Sequence, residues 1–232
     1  MIIDTHCHFD MMDTPEQYIA NKETTGDIVI GMTNLPSHFS MGYPQIKNLK
    51  HIRLALGFHP LMAKGNEKEM NLFCQYIDYT SYIGEIGLDF STIGYKTKME
   101  QINLIRSIFS ILRGKDKIIS VHSRRADKEL LDLLEEFDIK NVIFHWYSGP
   151  IILISKIIDK GYYFSINEAM TISEHGKKII ATIPTDKILT ESDAPYNKHT
   201  SIHEVLSYTR LSEKDIKTNF FRLIENIKNE KR

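Results

Sequence analysis

The chain has 232 residues, of which 42% are hydrophobic and 25% are charged, so it can bury a large core and is not a disordered segment. Its 29 lysine and arginine residues are balanced by 30 aspartate and glutamate residues, which excludes a global positive field that would attract nucleic acid. Any anionic substrate must therefore be held locally, by a few cations or by bound metal ions.

The sequence predicts a cytoplasmic protein without a membrane partner. Its first residues lack the basic and apolar regions of a secretion signal, and no window approaches the roughly 18 apolar residues that span a bilayer. Cys7 and Cys74 are the only cysteines, and two isolated thiols are typical of buried residues in a reducing compartment.

Eight short apolar or β-branched runs alternate with longer helical stretches, which is the order of a parallel α/β protein. The predicted strands are Ile2–His6, Asp27–Thr33, Ile52–His59, Ile83–Asp89, Lys117–His122, Asn141–Trp146, Tyr162–Ile166 and Ile188–Asp193. With no linker or repeat, residues 1–232 are predicted to form one domain, a single (β/α)8 TIM barrel. An open doubly wound sheet is the alternative, but the Gly-rich phosphate turn that it needs after the first strand is missing.

Helical periodicity is clearest in the second half of the chain. The leucines of Ala126–Phe137 fall on one face of a predicted helix. Thr171 and Glu174 have the spacing of a capping box, which predicts that Thr171 caps a helix. The apolar residues from Ile216 to Ile227 predict a last helix that packs against the barrel wall.

Residue types that bind metal ions occur at or near the ends of the predicted strands. They are His6 and His8 at the first strand, His59 at the third, Glu85 on the fourth, His122 at the fifth, His145 on the sixth and Asp193 at the eighth. The carboxyl ends of barrel strands converge on one face, so these distant residues are expected to become neighbours. Such a set of imidazoles and carboxylates can hold two divalent ions about 3.5–4 Å apart.

Each of these residues also has a plain structural interpretation. A lone His-x-His pair and an Asp before a turn are both common, and His145 can be a satisfied interior histidine. Glu85 is harder to explain in this way, because a carboxylate within an apolar strand needs a partner or a metal ion. Taken together, the residues favour a metal site.

Six segments, in this order, resemble the TatD family of metal-dependent hydrolases. They are His6-x-His8 after Asp4, Gly57-Phe58-His59-Pro60, Gly84-Glu85-Ile86-Gly87-Leu88-Asp89, Val121-His122-Ser123-Arg124, His145-Trp146-Tyr147-Ser148-Gly149 and Thr190-Glu191-Ser192-Asp193-Ala194-Pro195-Tyr196. Single motifs among them are unspecific, but the ordered set covers residues 2–196.

The resemblance implies a role for each matching residue. One divalent ion would be held by His6, His8, Glu85 and Asp193, and Glu85 would bridge to a second ion held by His122 and His145. The ions would be Mg²⁺, Mn²⁺ or Zn²⁺, since such ligand sets accept several metals. Water activated by the ions would attack the phosphate, Asp193 would accept its proton, and His59 would contact the phosphate. In the related amidohydrolases a modified Lys usually bridges the metals from the fourth strand, and Glu85 there argues against that branch.

The resemblance further implies hydrolysis of DNA, as single strands or at DNA ends, often by exonuclease action. Some relatives deacylate mischarged tRNA, so an aminoacyl-tRNA deacylase is an alternative. A non-catalytic subunit that is stabilised by metal is another. Compact TatD-like proteins occur in bacterial anti-phage operons such as Qat, and that placement would add operon-encoded protein partners.

The chain departs from the family pattern around the expected mouth of the site. Arg125 stands where the family usually has Asp, Trp146 replaces the usual Cys, and residues 197–204 contain no counterpart of the customary R-N-E-P stretch. These departures leave the substrate preference open.

Cations and aromatic residues near the motifs suggest contacts to nucleic acid. Arg124, Arg125 and Lys128 begin the helix after the fifth strand and can form a phosphate pocket, although the last two can equally face solvent. Four aromatic residues can stack bases or, as is more common, pack in the core: Tyr147, Tyr162, Tyr163 and Phe164.

Overall fold

The computed structural model describes residues 1–66 and 68–229, in which eight strands alternate with helices. The strands are β1 Ile3–Cys7, β2 Ile28–Gly31, β3 Ile52–Leu54, β4 Tyr82–Gly87, β5 Ile118–His122, β6 Val142–His145, β7 Tyr163–Ile166 and β8 Ile188–Thr190. The α-helices are α1 Pro15–Thr25, α2 Pro36–Ile46, α3 Glu69–Tyr76, α4 Lys98–Leu112, α5 Asp127–Glu136, α6 Ile152–Asp159, α7 Glu168–Ile172, α8 Glu174–Thr182, α9 Ile202–Thr209 and α10 Glu213–Asn229.

All strand pairs are parallel and follow chain order, as β1-β2-β3 and as β4-β5-β6-β7-β8. Two seams join these sheets into a ring. At the first, Leu56 forms a parallel bridge with Ile83 of β4. At the second, the Asp193 N–H donates to the His6 carbonyl at 2.9 Å. The predicted (β/α)8 barrel is confirmed.

Two glycines allow the backbone to close tightly around Glu85. A Cβ on Gly57 would lie 1.7 Å from the Thr33 carbonyl oxygen. Gly87 has a φ of 140°, and a Cβ there would lie 2.0 Å from the His122 carbonyl oxygen. Only glycine fits at either position, so these residues let the strands beside Glu85 approach one another.

The third and eighth strands fall furthest short of their predicted carboxyl ends, because the chain leaves the ladder before it reaches the polar residue. The third was expected to reach His59, but β3 ends at Leu54. The eighth was expected to reach Asp193, but β8 ends at Thr190 and the chain turns at Asp193 with a φ of 50°. Both functional candidates therefore lie on loops just beyond the strands.

The capping prediction at Thr171 is wrong. Thr171 lies inside α7, where its hydroxyl donates to the Glu168 carbonyl at 2.8 Å. Ser173 caps α8 instead and accepts the Gly176 N–H at 3.1 Å. The chain is extended at Ser173, so the hydroxyl nearest the new helix takes the capping position.

The last helix covers an end of the barrel, whereas the sequence predicts that it packs against the barrel wall. α10 contacts β1, β5 and β8, and β1 and β5 are not neighbours in the ring. Its Phe220 is buried beside Thr5 and Ser120 of those two strands. The Asn219 amide donates to the Ile188 carbonyl, at the beginning of β8, at 2.9 Å. The helix therefore closes the amino-terminal end, opposite the polar residues.

One of the two cysteines differs from the prediction. Cys7 is buried, as predicted, but Cys74 on α3 is exposed.

Among the described residues, no helix has the length and apolarity needed to cross a membrane.

Candidate metal centre

The six residues predicted to bind metal lie together at or near the carboxyl ends of the strands. Five are buried and His122 is half-buried. Their ligand atoms, with those of His59, form three overlapping groups in which all atoms lie within 4.8 Å of one another. The groups are His6–His8–Asp193, His6–Glu85–His145 and His59–Glu85–His122.

The Glu85 carboxylate occupies the middle of this cluster. Its Oε1 lies 2.7 Å from His122 Nδ1, 2.9 Å from His145 Nε2 and 3.6 Å from His59 Nε2. Its Oε2 lies 3.3 Å from His8 Nε2 and 3.8 Å from His6 Nε2. Burial favours the protonated acid, but the surrounding imidazoles outweigh burial and hold the pKa of Glu85 well below its ordinary value. A carboxylate with histidines at both oxygens has the arrangement of a bridging ligand.

The His6–His8 pair tests whether the site fits a cation. The two Nε2 atoms lie 3.2 Å apart, and each is 3.8 Å from Asp193 Oδ1. His6 Nδ1 is fixed separately, 2.8 Å from the Ser120 hydroxyl. Two ring nitrogens at this separation need a shared proton or a shared cation. Imidazole nitrogen and carboxylate oxygen are both ligands of divalent transition metals, so the residues fit such an ion.

Two further carboxylates, which sequence reasoning did not single out, lie behind the imidazoles. Asp89 Oδ2 is 2.9 Å from His122 Nε2, and Glu191 Oε1 is 3.6 Å from His145 Nδ1. Carboxylates in this position orient the imidazoles of metal sites. Both residues stand in the quoted motifs at the ends of buried strands, and the cost of burying a carboxylate was the signal that could have found them.

Replacing Glu191 with alanine is expected to lower the free energy of unfolding by roughly 3 kcal/mol, because buried donors would lose their acceptor. Glu191 is fully buried and accepts the Trp146 N–H at 3.0 Å, the Asn167 amide at 2.9 Å and the Ser165 hydroxyl. Denaturant titration of the metal-free protein measures the change. Glu174→Ala, on the surface, is the control, and an equally small effect of both substitutions would contradict the prediction.

Five of the six predicted metal ligands, all but His6, line an open cleft of about 650 Å³. Arg124 is exposed and is the one Lys or Arg among the described residues that line the cleft. Arg125 and Lys128 do not line it, and Lys128 instead pairs with Asp132 at 2.6 Å. Of the three cations considered for a phosphate pocket, only Arg124 therefore lines the cleft.

The four aromatic residues for which base stacking was the less common alternative pack in the core, as the more common interpretation has it. The four are at most 3% exposed: Tyr147, Tyr162, Tyr163 and Phe164. Trp146 and Tyr196 line the cleft in their place. Tyr196 is 55% exposed, its hydroxyl accepts the Asn34 amide at 3.0 Å, and its ring contacts His8 edge-on. The chain turns at Trp146 with a φ of 38°, which brings this residue to the mouth.

Metal affinity is expected to fall as the pH falls below about 7, because protons compete for the same atoms. Burial raises the pKa of the Asp193 carboxyl to about 7. Burial lowers the pKa of His145, but Glu85 and Glu191 outweigh it and raise that pKa well above its ordinary value. Both groups therefore hold a proton in the metal-free protein at lower pH, and the bound ion must displace it.

The affinity should change by about tenfold per pH unit for each proton released. Calorimetric titration with Mn²⁺, in buffers of different ionisation enthalpy, measures the affinity and counts the protons. A flat affinity profile with no proton release would contradict this account.

Comparison with known proteins agrees with the geometry. The sequence profile of the family described as TatD related DNase matches residues 3–230. An uncharacterised metal-dependent hydrolase of Methanocaldococcus jannaschii is 26% identical over 200 residues, covering 84% of this chain and 78% of the relative. A Homo sapiens protein named deoxyribonuclease TATDN3 is 26% identical over 217 residues, with shares of 84% and 78%. The crystal structure of the Escherichia coli TatD homologue YjjV has a similar fold, with a TM-score of 0.82 at 21% identity over 96% of this chain and 97% of that chain.

Proposed function

The chain belongs to the TatD-related DNase family of metal-dependent hydrolases, and from that premise we propose that it hydrolyses phosphodiester bonds of DNA with the help of divalent metal ions. The observation that carries the proposal is that one buried carboxylate, Glu85, lies within 3.8 Å of five imidazoles, four of which line an open cleft. We propose two ions, with Glu85 as the residue between them.

The proposed division of labour follows the distances. One ion would be held by His6, His8 and Asp193, with Glu85 shared, and the other by His122 and His145. When bound, such ions polarise a phosphoryl oxygen and acidify water. Asp193 borders the cleft and is placed to accept a proton there.

His59 and Arg124 are proposed to hold the substrate phosphate. His59 lines the cleft, and its Nε2 also lies 3.6 Å from Glu85 Oε1, so it reaches the reacting region. Arg124 is placed to bind a phosphate through its planar guanidinium. A cleft of about 650 Å³ accommodates a small part of a strand. Single strands or DNA ends are the proposed substrates, and exonuclease action is the proposed mode, as the family resemblance implies.

Incubation of single-stranded and double-stranded oligonucleotides with the protein and Mg²⁺, Mn²⁺ or Zn²⁺ tests the proposal. Strand scission that requires metal supports it. A panel of carboxyl esters and aminoacyl-tRNA is run beside the DNA, because the altered mouth of the site leaves room for deacylation. Release of an amino acid without scission would replace the nuclease proposal, and no turnover with any substrate would favour a non-catalytic subunit.

Replacing Arg124 with alanine is expected to raise KM for DNA by about tenfold with a smaller change in kcat, because one charge-assisted contact to phosphate is lost. Steady-state kinetics on an oligonucleotide measure both constants. Arg125→Ala is the matched control, since Arg125 is the exposed neighbour that does not line the cleft. Equal effects of the two substitutions would show that only overall charge matters.

The role in anti-phage defence, with operon-encoded partners, and the cytoplasmic location stay predictions from the sequence. Plaque counts on cells that carry the wild-type gene or an Asp193→Asn gene test the first of these.

A further inference from the structure

One rim of the cleft continues into an exposed apolar surface. Leu61 and Met62, which line the cleft, are 41% and 39% exposed. The turn Pro60–Met62 contacts the turn Gly94–Thr97 and helix α4. There Ile93, Tyr95 and Met99 are 74%, 60% and 61% exposed. We call this surface, formed by Leu61, Met62, Ile93, Tyr95 and Met99, the ledge.

Hydrogen bonds hold the ledge firmly to the wall of the cleft. The Gln101 side chain is buried, accepts the Asp89 N–H at 2.8 Å and donates to the Gly94 carbonyl at 2.8 Å. Because Asp89 lines the cleft, this glutamine joins the cleft wall to the turn that carries Tyr95. The Tyr95 ring also packs edge-on against Phe90, with ring centroids 6.1 Å apart. The exposed ring is therefore tied to the wall of the cleft.

Three lysines accompany the ledge. Lys64 lies two residues after Met62 in the sequence, and Lys96 and Lys98 lie between Tyr95 and Met99. Lys64 and Lys96 are exposed, and Lys98 Nζ lies 5.4 Å from the centre of the Tyr95 ring. None of the three forms an ion pair with a carboxylate of a described residue. A local cationic surface is notable on a chain whose net charge is −1.

We propose that the ledge binds a single-stranded nucleic acid where it leaves the cleft, with a base stacked on Tyr95 and phosphates beside Lys64, Lys96 and Lys98. Exposed aromatic rings interleaved with cations are the usual platform for single strands. A protein partner fits less well, because lysine is depleted in protein interfaces. The proposal rests on the proposed function and extends it to nucleotides outside the metal centre.

Binding is tested without cleavage, so that the result does not depend on turnover. Fluorescence anisotropy follows a labelled oligothymidylate of about 20 nucleotides on the wild-type protein in EDTA and in Ca²⁺, from about 50 to 200 mM salt. Tyr95→Ala and the double variant Lys96→Glu with Lys98→Glu are compared with wild type. The double variant Lys47→Glu with Lys50→Glu is the matched control, because these exposed lysines lie between α2 and β3, at the opposite end of the barrel.

Tyr95→Ala should weaken binding by roughly tenfold through lost stacking. The Lys96/Lys98 variant should weaken it further and reduce the salt slope by about 1.4, that is 0.7 for each phosphate contact. Tyr95 is exposed, so both variants should keep the thermal unfolding temperature of the wild type.

Any of three outcomes would overturn the proposal that the ledge binds a single strand. They are no oligonucleotide binding by wild type at low salt, equal affinity of all variants, or an equal loss of affinity in the Lys47/Lys50 control. Unchanged binding is also the result that a protein occupant would give. Hydrolysis of bis(p-nitrophenyl) phosphate is measured separately with Mn²⁺, since this small diester reaches only the metal centre. If the wild-type protein does not hydrolyse this diester, the proposed function is contradicted. If the ledge variants hydrolyse the diester as fast as wild type but have a raised KM for the oligonucleotide, the ledge proposal is supported.

Discussion

The Glu85→Gln protein is expected to lose metal-dependent hydrolysis by about 10³-fold or more. Glu85 has its two carboxylate oxygens among five imidazoles, so the substitution removes the negative charge that would face both ions. Metal catalysis contributes several kcal/mol to such a reaction, and each 1.36 kcal/mol corresponds to about a factor of ten in rate. The measurement is kcat/KM for bis(p-nitrophenyl) phosphate and for an oligonucleotide at saturating Mn²⁺.

The surface substitution Glu174→Gln serves as the control and should keep full activity, since Glu174 lies outside the cleft. Circular dichroism of Glu85→Gln must match wild type for the comparison to hold. Glutamine keeps the shape of the side chain, so the fold should persist. Residual activity within about tenfold of wild type would refute the bridging role assigned to Glu85.

Asp193→Asn is expected to lower kcat by about 10³-fold, because it removes both a metal ligand and the proposed proton acceptor. Asp193→Asn should weaken the binding of one metal ion, whereas Glu85→Gln should weaken the binding of both. Asp193 belongs only to the group with His6 and His8, whereas Glu85 belongs to the other two groups. Calorimetric titration should therefore show one ion lost from Asp193→Asn and weakened binding of both ions in Glu85→Gln.

The two variants together test the two-ion arrangement. If Asp193→Asn bound as many Mn²⁺ ions as wild type, with the same affinity, its ligand role would be rejected. A role as proton acceptor could then still be judged from kcat alone. If wild-type protein bound one ion, Glu85 could not bridge two ions and the two-ion arrangement would be rejected. The proposal of a metal-dependent hydrolase would still hold, with a single ion.

The barrel was predictable because its signals are local. Apolar runs and helical periods occur within windows of ten or so residues, and the carboxyl-end rule then places distant histidines together. His6, Glu85 and His145 illustrate this, since each stands at or near the end of a buried run and all three meet in one group. The failure at Thr171 was local as well, because a second hydroxyl two residues later was better placed to cap the helix.

Other features had no local signal. Arg124, Arg125 and Lys128 look alike in the sequence, and only the direction of each side chain in the folded barrel separates Arg124, which lines the cleft, from the other two. Tyr162 and Tyr163 likewise resembled possible stacking residues, but neighbouring elements enclose them. Exposure of a side chain depends on what packs against it from elsewhere in the chain.

The amino-acid sequence by itself determined the barrel, the family resemblance and the types of metal ligand, since residue chemistry and short-range periodicity carry that information. The tertiary structure alone decided how these groups are arranged: the carboxylates of Asp89 and Glu191 behind the imidazoles, Arg124 as the one Lys or Arg of the described residues that lines the cleft, and the ledge. Leu61 and Tyr95 are separated along the chain by α3 and β4, and their segments become one surface only because the parallel bridge of Leu56 to Ile83 of β4 brings the following turns into contact. Contacts of this kind depend on the closure of the whole ring, which no short stretch of sequence specifies.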